Sequence, residues 1–142
     1  MSLITLVYVS SAKRKMSDED LKSILEVSRD NNRKQDISGM LLYRNGFFIQ
    51  ALEGEEDAVQ ALYNKIKEDP RHGNVLSVYK AKIHERSFAD WSMGFNKVED
   101  ESLKKLDGFT DFINQPLNNK FFEQRPNYAL TLLESFRNRS YF

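Results

Sequence analysis

The sequence predicts an α+β fold of the ferredoxin-like kind: a βαββαβ(β) sheet with two helices on one face and C-terminal helices on the other. Three observations lead there. Stretches rich in β-branched and aromatic residues alternate with amphipathic ones in the order strand, helix, strand, strand, helix, strand. Asn45-Gly46 between the second and third strands is a strong hairpin signal. A right-handed crossover makes strands one and two parallel with a gap between them, and the hairpin drops strand three into that gap, antiparallel to both.

Each element has a local cause. Leu3 to Ser10 (LITLVYVS) is a strand by its β-branched and aromatic content. Ser17-Asp-Glu-Asp20 is a capping box opening a helix to about Asn32. Ile37 to Tyr43 and Gly46 to Glu53 are the hairpin strands. A second helix runs from Glu55 to about Glu68, with Val59, Leu62 and Ile66 inward and Pro70 just beyond its end. Val75 to Ile83 is a fourth strand, and Trp91 to Phe95 a short fifth. Further on, Leu103, Leu106, Phe109, Phe112 and Ile113 recur at helical spacing, and Tyr128 to Arg137 is again amphipathic. These segments are the expected cover for the second sheet face. The division is therefore 1–97 for the sheet domain and 98–142 for a helical extension.

Composition narrows the function. Lys plus Arg and Asp plus Glu each number 21, so the net charge is zero and a nucleic-acid footprint over the whole surface is not expected. Cysteine is absent, which removes disulfides, thiolate metal sites and thiol nucleophiles. His72 and His84 lack the spacing of a metal pair. No signal peptide and no apolar run of membrane length is evident, so a soluble cytoplasmic protein is expected.

The stretch GFFIQALEG, residues 46–54, holds the most informative residue. Gln50 lies in a strand that is apolar on both faces and carries two donors and two acceptor lone pairs inward. Left unpaired there it would cost about 1–3 kcal/mol. The predicted topology makes Tyr8 its neighbour beneath the helices. The inward stripe of the first helix, Leu21, Ile24, Leu25 and Ser28, runs on to Asn31 and Asn32. Three amides thus converge on a space lined by Ile24, Leu41, Phe48 and Ile66. A planar heterocycle with an apolar body and a polar edge complements such a space. No hydrolytic site, substrate pocket or catalytic acid is apparent, and the chain does not read as an enzyme.

In combination these residues resemble the BLUF family, blue-light sensors that bind a flavin. The resemblance covers about residues 1–97. It rests on the Tyr of LVYVSSA, the NN before DISGMLLY, the Gln of FFIQALEGE, the EDPRH segment and WSM. It implies a noncovalently bound flavin, usually FAD, with FMN or riboflavin as the other candidates. Asn31 and Asn32 would bond the polar edge of the ring, and Gln50 would bond both the ring and the Tyr8 hydroxyl. Ile24, Ser28, Leu41, Phe48 and Ile66 would line the pocket. Lys65, Arg71 and His72 fall where the family often contacts the ring or its tail, although arginine is frequent where Lys65 stands. Trp91 and Met93 occupy the variable switch region.

The mechanism expected from the resemblance is that light moves an electron and then a proton from Tyr8 to the flavin. Recombination follows a change of rotamer or tautomer at Gln50, and a new bond to the ring carbonyl shifts absorption slightly to the red. With too little sequence after the sensor for a cyclase or phosphodiesterase, output is expected through contacts: a homo-oligomer and a separate protein partner. The rival reading is a ferredoxin-like ligand-binding or dimerisation module without photochemistry. A flavin enzyme is a third. Absorption before and after blue light separates them.

Overall fold

The computed structural model describes residues 2–13, 16–44, 46–70, 72–89 and 92–97, together with 130, 133 and 134. The elements are β1 (Leu3–Ala12), α1 (Asp18–Lys34), β2 (Ser38–Arg44), β3 (Phe47–Glu55), α2 (Glu56–Glu68), β4 (His72–Lys82) and β5 (Gly94–Lys97). The strands form one sheet in the order β4-β1-β3-β2-β5. As expected, β3 fills the gap between β1 and β2 and runs antiparallel to both. β4 pairs antiparallel with β1, and β5 adds to β2 in parallel. The fold is the ferredoxin-like α+β sheet with an extra edge strand.

Local signals account for the boundaries. Ser17 caps α1 through the reciprocal box: Asp20 N–H donates to Ser17 Oγ at 3.1 Å and Ser17 N–H donates to Asp20 Oδ2 at 3.1 Å. α1 ends where Asp36 takes the left-handed conformation, φ 55°, which aspartate tolerates better than most residues. Gly46, φ 83°, serves the hairpin turn as glycine can. β1 ends later and β4 starts earlier than their apolar runs suggest, because antiparallel pairing continues out to Ala12↔His72. β5 starts later than expected, at Gly94, where pairing with Met40 begins.

The sheet is buried on both faces. Ile4, Leu6, Tyr8, Leu41, Tyr43, Phe48 and Leu52 pack beneath α1 and α2 with Leu21, Leu25, Val59 and Tyr63. Val7, Val9, Met40, Leu42, Ile49 and Ala51 alternate to the opposite face and are equally buried. The expected C-terminal cover lies mostly outside the described residues. Leu130, Leu133 and Glu134 are within them and are helical, with Leu133 fully buried.

Candidate functional site

A cleft of about 190 Å³ opens between the helices and the sheet. That is an order of magnitude more than a single ordered water needs, so the space suits a ring system. Tyr8, Leu41, Phe48 and Gln50 rise from the sheet; Ile24, Val27, Ser28, Asn31 and Asn32 come from α1; Leu62, Lys65 and Ile66 come from α2. The residues expected on the sheet and on both helices thus meet at one cleft. Arg71 and Trp91 lie outside the described residues, as does the side chain of His72. Asn31 and Lys65 are exposed at the cleft's rim, whereas Asn32 is 1% exposed.

Register creates the polar centre. Tyr8 and Gln50 are direct partners across β1 and β3, so both point beneath the helices. The Tyr8 hydroxyl donates to Gln50 Oε1. The other end of the amide donates from Nε2 to Met93 Sδ at 3.2 Å. Gln50 is thereby satisfied at 5% exposure by one hydroxyl and one thioether, and the latter is a weak acceptor. Met93 reaches it across Gly39: a Cβ there would run into the Ala51 carbonyl and stand 3.2 Å from the Met93 methyl. Burial, followed by Tyr63 and Asp69, pushes the Tyr8 hydroxyl far above the ordinary tyrosine value. Tyr8 is therefore a phenol, never a phenolate, in ordinary buffers.

Two helical side chains hold the segment carrying Met93. Asn32 Nδ2 donates to Ser92 O at 2.7 Å, and Arg29 Nε donates to Met93 O at 2.8 Å. Asn32 carries a second N–H and a carbonyl oxygen besides. Burial and the nearby Arg33 lower the pKa of Arg29. Tyr63, with its ring 5.6 Å from that of Tyr8 and tilted by 50°, completes the wall behind the phenol.

Sequence reasoning missed Arg29, Tyr63 and Ser92. Tyr63 was within reach, since it stands four residues after Val59 on the same helical face. Arg29 carried no such signal, because its partner is a backbone carbonyl 64 positions away.

The residues fit a flavin. The cleft has an apolar body and ends in buried amides, and one of these, Gln50, already bonds to an oxidisable phenol. Comparisons with known proteins agree. The family model described as "BLUF: Sensors of blue-light using FAD" matches residues 3–94. The chain is 41% identical over 115 residues to the photoactivated adenylate cyclase subunit beta of Euglena longa, covering 80% of this chain and 13% of that protein. It thus spans only a small part of the curated relatives it matches. Among solved structures it resembles the photo-activated state of BlsA, with 32% identity, a TM-score of 0.76 and coverage of 93% of this chain and 94% of that one. It also resembles the dark state of BlrB, a BLUF protein, with 28% identity, a TM-score of 0.70 and coverage of 92% and 97%.

Proposed function

The chain belongs to the BLUF family, sensors of blue light using FAD, and from that premise we propose that Tyr8 and Gln50 carry its photochemical step. The observation behind this is the bond from Tyr8 to a Gln50 whose other end rests on Met93. FAD is the flavin we assign, held by Asn31, Asn32 and Gln50 at the polar edge and by Ile24, Ser28, Leu41, Phe48 and Ile66 along the body, with Lys65, Arg71 and His72 toward the tail. When bound, it supplies a ring that becomes a strong oxidant on absorbing blue light and returns what it takes.

The chain's own groups do the rest. Tyr8 gives up an electron from its ring and its hydroxyl proton, and recovers both. Gln50 Oε1 stands on the path of that proton, since it accepts from the hydroxyl in the resting protein. The two ends of the amide are nearly isosteric but opposite in hydrogen bonding. Reversing the amide sets Gln50 Oε1 against Met93 Sδ, acceptor against acceptor, so the contact to Met93 is lost. Gln50 is thus the switch, and Met93, with Trp91 beside it in sequence, is the first residue to respond.

The BLUF domain itself is a sensor, and we read this chain as having no enzymatic activity. Residues 1–97 form the sensor in this reading, and residues 98–142 make output contacts, with a second copy and a separate protein partner. Among the described residues no helix is long and apolar enough to cross a membrane; we place the protein in the cytoplasm. Purified protein should be yellow and shift its absorption slightly to the red under blue light. Tyr8→Phe should remain yellow and show no shift. A normal shift in that variant would remove Tyr8 as donor.

A further inference from the structure

β5 has four residues and, among the described residues, is a sheet edge paired only with β2. Short edge strands are weakly held by their own ladder. Immediately before it, Ser92 and Met93 present successive backbone carbonyls to α1, where Arg29 and Asn32 lie one turn apart on the same face. The bond from Arg29 is charge-assisted and partly shielded from water, which makes it the stronger of the two. Asn32 is also claimed by the cleft. Arg29 is not among the cleft's lining residues, so it holds Met93 O from outside the cleft.

The geometry points to Arg29 as a positioning residue of the switch: by fixing the Met93 backbone it keeps the sulfur beside Gln50 Nε2, and so sets which way round the Gln50 amide rests. This rests on the reading of Gln50 as the switch. A methionine side chain has three rotatable bonds and does not stay in place unaided. With its backbone pinned, the sulfur is an acceptor at a fixed position. The N–H end of Gln50 then faces Met93, and Oε1 faces Tyr8. Without the pin the resting amide loses that bias, and the reversed arrangement gains population in the dark.

The test uses the full chain as Arg29→Met, with two readings in the dark. The first is amide hydrogen exchange at residues 92–95, in flavin-free and flavin-loaded protein. Loss of one charge-assisted bond predicts exchange faster by roughly tenfold. The second is the dark absorption of the loaded protein, expected to lie partly toward the light-induced position, with a correspondingly smaller shift under blue light. Arg29→Lys keeps a charged donor and should move both readings back toward wild type. Arg29→Gln, too short to keep the bond, stands in if the methionine variant does not fold. Wild-type exchange, or faster exchange with an unmoved dark maximum, would overturn the proposal. A wild-type protein with no red shift would defeat the photochemical reading itself, and the exchange result would show separately whether Arg29 holds the segment.

Discussion

Gln50 and Glu53 are two buried polar residues on one strand, three positions apart and on opposite faces of the sheet. Gln50 is 5% exposed and Glu53 1%. Their partners differ in kind. Glu53 Oε1 accepts from Ser38 Oγ at 3.0 Å and from Phe88 N–H at 2.9 Å, and Oε2 accepts from Ser87 N–H at 2.7 Å. Arg86 closes the cluster, donating to Ser38 Oγ at 2.9 Å and to the Asp36 carbonyl at 2.7 Å. Two of the donors to Glu53 are backbone groups that cannot rotate away. Among the described residues Gln50 has a hydroxyl and a sulfur, each on a side chain that can turn. Glu53 is thus held by donors that have no alternative, and Gln50 by partners that have one, which suits the switching role proposed for it.

Substitutions can separate the two. The largest effect should come from Tyr8→Phe and Gln50→Leu, each abolishing the light-induced shift in protein that still binds flavin, as read from light-minus-dark absorption. Gln50→Leu should lower the unfolding free energy by about 1–3 kcal/mol, because it leaves the buried Tyr8 hydroxyl without its acceptor. Next comes Glu53→Leu, which strands two backbone N–H groups and the Ser38 hydroxyl. We expect a loss of about 3–5 kcal/mol in urea unfolding, with the shift intact in the folded fraction. A Glu53 variant as stable as wild type would erase the contrast.

The next effect is on the alkaline side. Tyr8 has a folded-state pKa raised above the unfolded value of about 10, so the folded chain holds this proton more tightly. Its contribution to stability is complete below about pH 10 and declines as pH rises beyond it. Tyr8→Phe should therefore lose less stability than wild type on going from about pH 9 to about pH 11. Some loss remains, because burial also raises the pKa of Tyr63. The smallest effect should come from Arg86→Met: about 1 kcal/mol in urea unfolding, since the backbone donors to Glu53 stay in place.

The same pair of residues explains what could be read from the sequence. Tyr8 and Gln50 were legible as neighbours because strand alternation gives the face and the hairpin in the crossover gap gives the order of strands. The apolar walls of the cleft followed from the stripes of α1 and α2. The Glu53 cluster was not legible, because Ser87 and Phe88 contribute backbone N–H groups, which every residue but proline carries. Arg29 was hidden for the same reason: its target is a carbonyl, and a carbonyl leaves no mark in a sequence. Motifs register side chains that do chemistry; the backbone contacts that position them become visible only in three dimensions.

The role of Gln50 as the switch is decided by the light-minus-dark absorption of flavin-loaded Gln50→Leu, measured beside wild type. Wild type should give a small red shift that recovers in darkness, and the equally yellow variant a flat difference spectrum. A red shift of wild-type size in Gln50→Leu would contradict that role.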